Sequence, residues 1–233
     1  MPRPGLWFLW RQLQGHADIV SGRRPCRFSG ALTAFAARIL AWGPWRPLAC
    51  QELGDNPSMA SLVVVTGPPG AGKSTVARAL AGSFEPSVLV AGDAFFAFLT
   101  RGAIAPWLPA ANGQNEVVVR AAAAATGRFA AGGFITVYDG VLGPWFLADF
   151  AAEAAVDHLH YVVLLPSVER CVDQVANRVG HGFTDEEATR HMYRQFAQAD
   201  IDPRHVLADL PASPGDTATE VARRVQAGTL RYP

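Results

Sequence analysis

From residue 62 onward, short apolar β-branched runs alternate with stretches of helical composition. Leu62-Val63-Val64-Val65-Thr66 is one continuous apolar run, as expected of a strand covered on both faces, and residues 76–81 read as the helix after it. Residues 87–91 predict a second strand ending at Gly92-Asp93, followed by a short aromatic helix over 94–99 and a Pro-, Gly-, Ala- and Trp-rich loop or lid over 102–112. An alanine-rich helix is expected over 115–131, stopped by Gly132-Gly133. Then come a third strand over 134–138, closing on Asp139-Gly140, a helix over 144–155 and a fourth strand over 158–165. A helix over 167–179 precedes a break at Gly180-His181-Gly182, and the next helix carries Thr184 and Glu187 at capping-box spacing. A short fifth strand over 205–210 and a last helix over 216–228, capped near Asp216 or Thr217, complete the pattern. Strands alternating with helices imply an α/β fold, a parallel sheet with right-handed crossovers that binds ligands outside the carboxyl ends of its strands.

At the first of those ends stands Gly67-Pro68-Pro69-Gly70-Ala71-Gly72-Lys73-Ser74-Thr75, which fills the phosphate-loop pattern GxxxxGK[ST]. Glycines let the backbone curl so that successive N–H groups converge on phosphate oxygens. Lys73 supplies a point charge for the β- and γ-phosphates, Ser74 a hydroxyl ligand for Mg²⁺, and the helix N-terminus a favourable dipole. Lys73 is also the sole lysine in the chain. In an Ala-, Arg-, Gly- and Pro-rich sequence, lysine persists where a compact ammonium does what a planar guanidinium does poorly.

Asp93 and Asp139 end two other strands and so fall beside the loop. Phosphoryl transfer is mostly positioning and charge stabilisation; it needs a cationic cradle, a metal and a carboxylate for the acceptor hydroxyl. Asp139, after an apolar strand, has the Walker B arrangement and is assigned to Mg²⁺, directly or through water. Asp93 is assigned to orienting or deprotonating the acceptor. A [NT]KxD guanine motif is absent, which favours ATP over GTP.

The chain has 233 residues, half of them hydrophobic, and no net formal charge. That neutrality argues against a general nucleic-acid binder. Cys26, Cys50 and Cys171 are widely spaced with no CxxC pair, so neither a disulfide framework nor a zinc site is indicated and a cytoplasmic, reducing compartment is expected. Residues 1–58 carry Arg3, Arg11, Arg23, Arg24, Arg27, Arg38 and Arg46 against Asp18, Glu52 and Asp55. They lack both a signal-peptide h-region and the ~20 apolar residues of a membrane span. The reading is a poorly ordered arginine-rich leader, a transit peptide or an over-extended start before Met59, with the folded domain over 59–233 and no membrane partner.

Residues 59–233 resemble the small phosphate-loop kinases of the shikimate kinase, gluconate kinase and chloramphenicol phosphotransferase group, and AAA-type ATP-binding proteins. The resemblance rests on the loop at 67–75 and on Gly92-Asp93, the strand-end aspartate that meets the acceptor in that group. It implies a nucleoside-monophosphate-kinase-like fold with a five-stranded parallel sheet flanked by helices, ATP and Mg²⁺ as cofactors, and a small-molecule acceptor. Arg178-Val179-Gly180-His181-Gly182-Phe183 resembles the gluconate kinase lid, which implies that Arg178, and Arg170 one helix face earlier, close on ATP. The paired aspartates and arginine that gluconate or shikimate recognition requires are missing from the substrate region. Phe95, Phe96, Phe98, Trp107 and Trp145 stand there beside Arg101, Gln114 and Asn115, which suggests a partly apolar or aromatic acceptor.

Lower-ranked features are His158 and His160, which share a strand face as two metal ligands would but lack a third nearby, and Arg190 and Arg194, four apart on one helix. Arg190 reads as solvated face, Arg194 as open to a substrate role. The loop over 211–217 is where such folds seat adenine. The expectation is an ATP-dependent phosphotransferase, monomeric or homodimeric, acting on a small-molecule hydroxyl. The rivals are a nucleotide-sugar kinase resembling zeta toxins and a slowly hydrolysing switch module.

Overall fold

The computed structural model describes residues 62–177, 183–211 and 213–233. The expected leader over 1–58, Arg178 and the break at 180–182 lie outside the described residues.

The strands are β1 (Leu62–Thr66), β2 (Ser87–Ala91), β3 (Ile135–Asp139), β4 (Leu159–Leu164) and β5 (Val206–Leu207). They form a five-stranded sheet in the order β2-β3-β1-β4-β5, with every neighbouring pair parallel. The helices are α1 (Lys73–Ala81), α2 (Gly92–Phe96), α3 (Asn112–Ala131), α4 (Pro144–Ala154), α5 (Val168–Ala176), α6 (Glu186–Gln198) and α7 (Pro214–Gln226). Because side chains alternate along a strand, β1 sends Val63 and Val65 to one face and Leu62 and Val64 to the other. The first set packs with Val137, Leu80 of α1 and Val221 of α7. The second packs with Tyr138, Val119 of α3 and Phe150 of α4. Burial on both faces explains why β1, β3 and β4 are buried at every position. None of the helices among the described residues is long and apolar enough to cross a membrane.

Several boundaries differ from the sequence expectation. α6 is capped by Asp185, whose Oδ1 accepts the Ala188 N–H at 2.9 Å, so the Thr184–Glu187 capping box does not form. A carboxylate one residue nearer the helix takes the same orphan donors and sits better in the N-terminal dipole. Ser213 caps α7 through the Asp216 N–H, with Pro214 at the first turn, in place of Asp216 or Thr217. β5 shrinks to Val206–Leu207 because Pro203–His205 form a 3₁₀ turn. α3 starts at Asn112 rather than Asn115, and α2 covers Gly92–Phe96 rather than 94–99.

His160 is buried on β4, and no group of three or more His, Cys, Asp or Glu among the described residues could hold a metal. Arg190 pairs with Glu186 one turn away on α6, a partly exposed i,i+4 contact, as the solvated-face reading expects.

Candidate active site

The loop after β1 is built by close backbone approach. Gly67 (φ 140°) and Gly70 (φ 77°) hold left-handed conformations, and a Cβ on either would run into the carbonyl of Leu164 or Cys171. Any other residue there would distort the loop. α1 begins at Lys73 behind Gly72, with no capping side chain and no acidic residue in its first turn. α2, α3 and α4 likewise lack a side-chain cap, whereas α5, α6 and α7 are capped by Ser167, Asp185 and Ser213. The start of α1 thus presents backbone N–H groups and the positive end of the helix to an anion. Lys73 is buried, and its Nζ donates to the Pro68 carbonyl at 2.9 Å, which holds the ammonium across the loop. Cys171 packs beneath; burial pushes its thiol up to about 11, opposed by the charges of Lys73 and Arg170.

Asp139 is buried at the end of β3, in register with Val65 of β1 and Ala91 of β2. Asp93 is exposed in α2, directly after β2. Between them stands Tyr138, whose ring packs on Phe150 with centroids 4.7 Å apart. Its hydroxyl fills the space that Cβ atoms on Gly92 and Gly140 would take. Burial, then the charges of Asp93 and Asp139, raise the Tyr138 pKa well above the usual phenol value, so the hydroxyl stays protonated. Thr66 fixes the turn between β3 and α4: its Oγ1 donates to Leu142 O at 3.0 Å and accepts the Leu142 N–H at 2.8 Å, while Tyr161 adds a 2.9 Å bond to the same carbonyl.

A cavity of about 910 Å³ opens over these strand ends. Pro69, Lys73, Ser74 and Asp93 form one side. The strap between α2 and α3 adds Pro106 to Pro109, α3 adds Asn115 and Val119, α4 adds Trp145 and Phe146, and α6 adds His191, Met192 and Gln195. Trp107 and Phe183 meet edge to face, centroids 4.9 Å apart, and close the wall between strap and α6.

Of the residues singled out in the sequence, Lys73, Ser74, Asp93, Phe96, Trp107, Asn115 and Trp145 line this cavity. Asp139, Arg101, Gln114, Phe95 and Phe98 do not. Arg101 is exposed, Phe95 and Phe98 pair with each other at 5.4 Å, and Gln114 spends its amide on the Ile104 backbone. Asn115 donates from Nδ2 to the Pro106 carbonyl at 2.7 Å, and its Oδ1 is buried without a hydrogen-bond partner. Arg170 and Arg194 are exposed and outside the lining, and Thr75 faces solvent. Tyr138, His191, Met192 and Gln195 were not anticipated. For the last three the signal was available, since 191, 192 and 195 share one face of a helix.

The sequence profile of a family described as an AAA domain matches residues 62–199. The chain belongs to that family. This AAA domain also shares its fold with a sugar kinase from Janibacter, at TM-score 0.54 and 18% identity over 70% of this chain and 93% of that one. The Deinococcus radiodurans tunicamycin resistance protein matches at TM-score 0.55 and 12% identity, over 75% of this chain and 99% of that one. No curated protein matches the sequence. The AAA-domain match spans the loop, both strand-end aspartates and α6, in agreement with the phosphate-loop kinase resemblance carried by residues 67–75.

Proposed function

We propose that the chain transfers the γ-phosphoryl group of ATP to a hydroxyl of a small molecule. The observation that carries this reading is that Lys73 and Ser74 of the phosphate loop and Asp93 line one cavity, with room for a second molecule beyond the loop. The sugar kinase with the same fold supports it.

The roles follow from position. Loop amides and the Lys73 ammonium hold the β- and γ-phosphates, which lie at the uncapped start of α1. Ser74 in the first turn of α1 and Asp139 at the end of β3 offer the hard oxygen donors that Mg²⁺ takes. When bound, the metal neutralises charge on the phosphoryl oxygens. Asp93 accepts the proton of the acceptor hydroxyl as its oxygen bonds to the γ-phosphorus; the bond from that phosphorus to the bridging oxygen breaks and ADP leaves. Arg178, in the lid-like segment, stabilises the developing charge, and Arg170, exposed on α5, is the second arginine assigned to that role.

The test uses the full-length chain with Mg·ATP and a metabolite extract, beside Lys73→Ala and Asp93→Asn, with mass spectrometry of the products. A compound that gains a phosphoryl group with wild type and not with either variant establishes the reading. ATP binding without any phosphorylated product, and with equal hydrolysis by Asp93→Asn, would overturn it in favour of a switch module.

A further inference from the structure

We infer that the acceptor is an uncharged alcohol built on an apolar ring system; the inference rests on the phosphotransferase reading and concerns the other half of the same cavity. Among the described lining residues the charged side chains are Lys73 and Asp93, both at the reacting end. Beyond them the walls are mostly apolar, with Phe96, Trp107, Val119, Trp145, Phe183 and Met192, and a few uncharged polar groups stand among them, Asn112, Asn115, Tyr138, Gln195 and the imidazole of His191. A carboxylate or phosphate carried by the acceptor would leave water here with no cation among the described lining residues beyond Lys73 to meet it, a cost of several kcal/mol. The amide nitrogen of Asn115 is already committed to Pro106, and its Oδ1, buried without a partner, is left to accept a hydroxyl.

The walls suit a flat ring instead. Trp107 and Phe183 come from segments far apart in sequence yet meet edge to face, which builds one rigid side. Trp145 packs on Phe196, centroids 5.4 Å apart, and still leaves 45% of its surface exposed, as Leu108 leaves 47%. Apolar surface left open around a cavity of about 910 Å³ marks a place where an apolar body binds.

Three probes separate charge from ring: 2-(2-naphthyl)ethanol, 2-naphthylacetate with the same ring and a carboxylate, and gluconate. Binding to the full-length chain is read by calorimetry and tryptophan fluorescence. The naphthyl alcohol is expected to bind at least about 10-fold more tightly than the naphthyl carboxylate, with gluconate weakest. Trp107→Ala is expected to weaken the alcohol about 10-fold, whereas Phe98→Ala, outside the cavity, leaves it unchanged; circular dichroism confirms the fold of both. Equal or tighter binding of either anion, no binding of the alcohol, or no effect of Trp107→Ala overturns the inference. Adding Mg·ATP distinguishes the two readings. Binding of the alcohol without phosphoryl transfer to it or to any extract compound upholds this pocket's preference and removes the phosphotransferase. Transfer to gluconate with no affinity for the alcohol keeps the phosphotransferase and removes this inference.

Discussion

Gln114 holds Ile104 by both ends of its amide: Oε1 accepts the Ile104 N–H and Nε2 donates to the Ile104 carbonyl, each at 2.8 Å. The next residue, Asn115, takes the Pro106 carbonyl at 2.7 Å. Two successive side chains in the first turn of α3 thus fasten the strap that supplies Pro106 to Pro109 to the cavity wall. An amide is the one side chain that can mimic a strand neighbour in this way, with one donor and one acceptor in a plane.

Gln114→Glu keeps the acceptor for the Ile104 N–H and sets a carboxylate against the Ile104 carbonyl. Each lost bond of this kind is worth about 1 kcal/mol. Amide exchange over residues 103–108 should therefore speed up by roughly 5- to 10-fold. Hydrogen exchange followed by mass spectrometry reads this directly, and unchanged protection would show that the clamp does not hold the strap.

Gly92 and Tyr138 offer a second test. A Cβ at 92 would press on the Tyr138 hydroxyl and come within 2.8 Å of its ring carbon Cζ. Gly92→Ala should destabilise the domain by about 1–3 kcal/mol, the usual range for overpacking. Tyr138→Phe removes the hydroxyl, so Gly92→Ala should cost less in that background. A double-mutant cycle by urea unfolding checks the sign, and strict additivity would rule out the contact as the cause.

The sole lysine should not tolerate its usual replacement. Lys73 is buried, and its ammonium fits against the Pro68 carbonyl. A guanidinium is larger, planar and forked, and fits neither that contact nor a point-charge role on two phosphates. Lys73→Arg should lose nucleotide affinity nearly as far as Lys73→Ala, by roughly 10- to 100-fold, given ~1.5–3 kcal/mol for hydrogen bonds to charged groups. Titration of a fluorescent ATP analogue measures it, and near-wild-type affinity in the arginine variant would refute the argument.

What the sequence made legible was what local chemistry controls. The continuous β-branched run of β1, the glycines and lysine of the loop, and aspartates following apolar strands need no partner from elsewhere in the chain to be recognised. The parallel sheet follows from the same alternation, but its order β2-β3-β1-β4-β5 does not, since several orders satisfy right-handed crossovers. The acceptor half was harder. Arg101, Gln114 and Asn115 look alike in sequence as polar residues near a lid, but only the fold shows that Gln114 faces the strap and Arg101 faces solvent. Phe98 and Trp107 likewise differ only by which way their loop turns: one is 72% exposed, the other lies against Phe183. Tyr138 escaped notice because an aromatic inside a strand reads as core, and its hydroxyl gains meaning only from the two glycines that make room for it. Cap positions slipped by one to three residues where two cappers stood close together, Thr184 beside Asp185 and Ser213 before Asp216.

His160 predicts how the fold responds to acid. It is 3% exposed on β4, its Nδ1 has no hydrogen-bond partner, and burial, followed by the charges of His158, Arg231 and His205, lowers its pKa to about 4. In the unfolded chain an imidazole titrates near 6.5. Above that value both states are neutral at this site and His160 contributes no pH dependence. As pH falls from about 6.5 to 4 the unfolded chain takes up the proton first, so stability drops, and below 4 the penalty levels off. The full loss is of order 3 kcal/mol. His205, also buried and shifted down, adds to it with the same sign. Urea midpoints measured between pH 7.5 and 4.5 should fall less steeply for His160→Gln than for wild type, whatever the starting stability of the variant. Parallel slopes would mean that His160 is not the group that takes up the proton on unfolding.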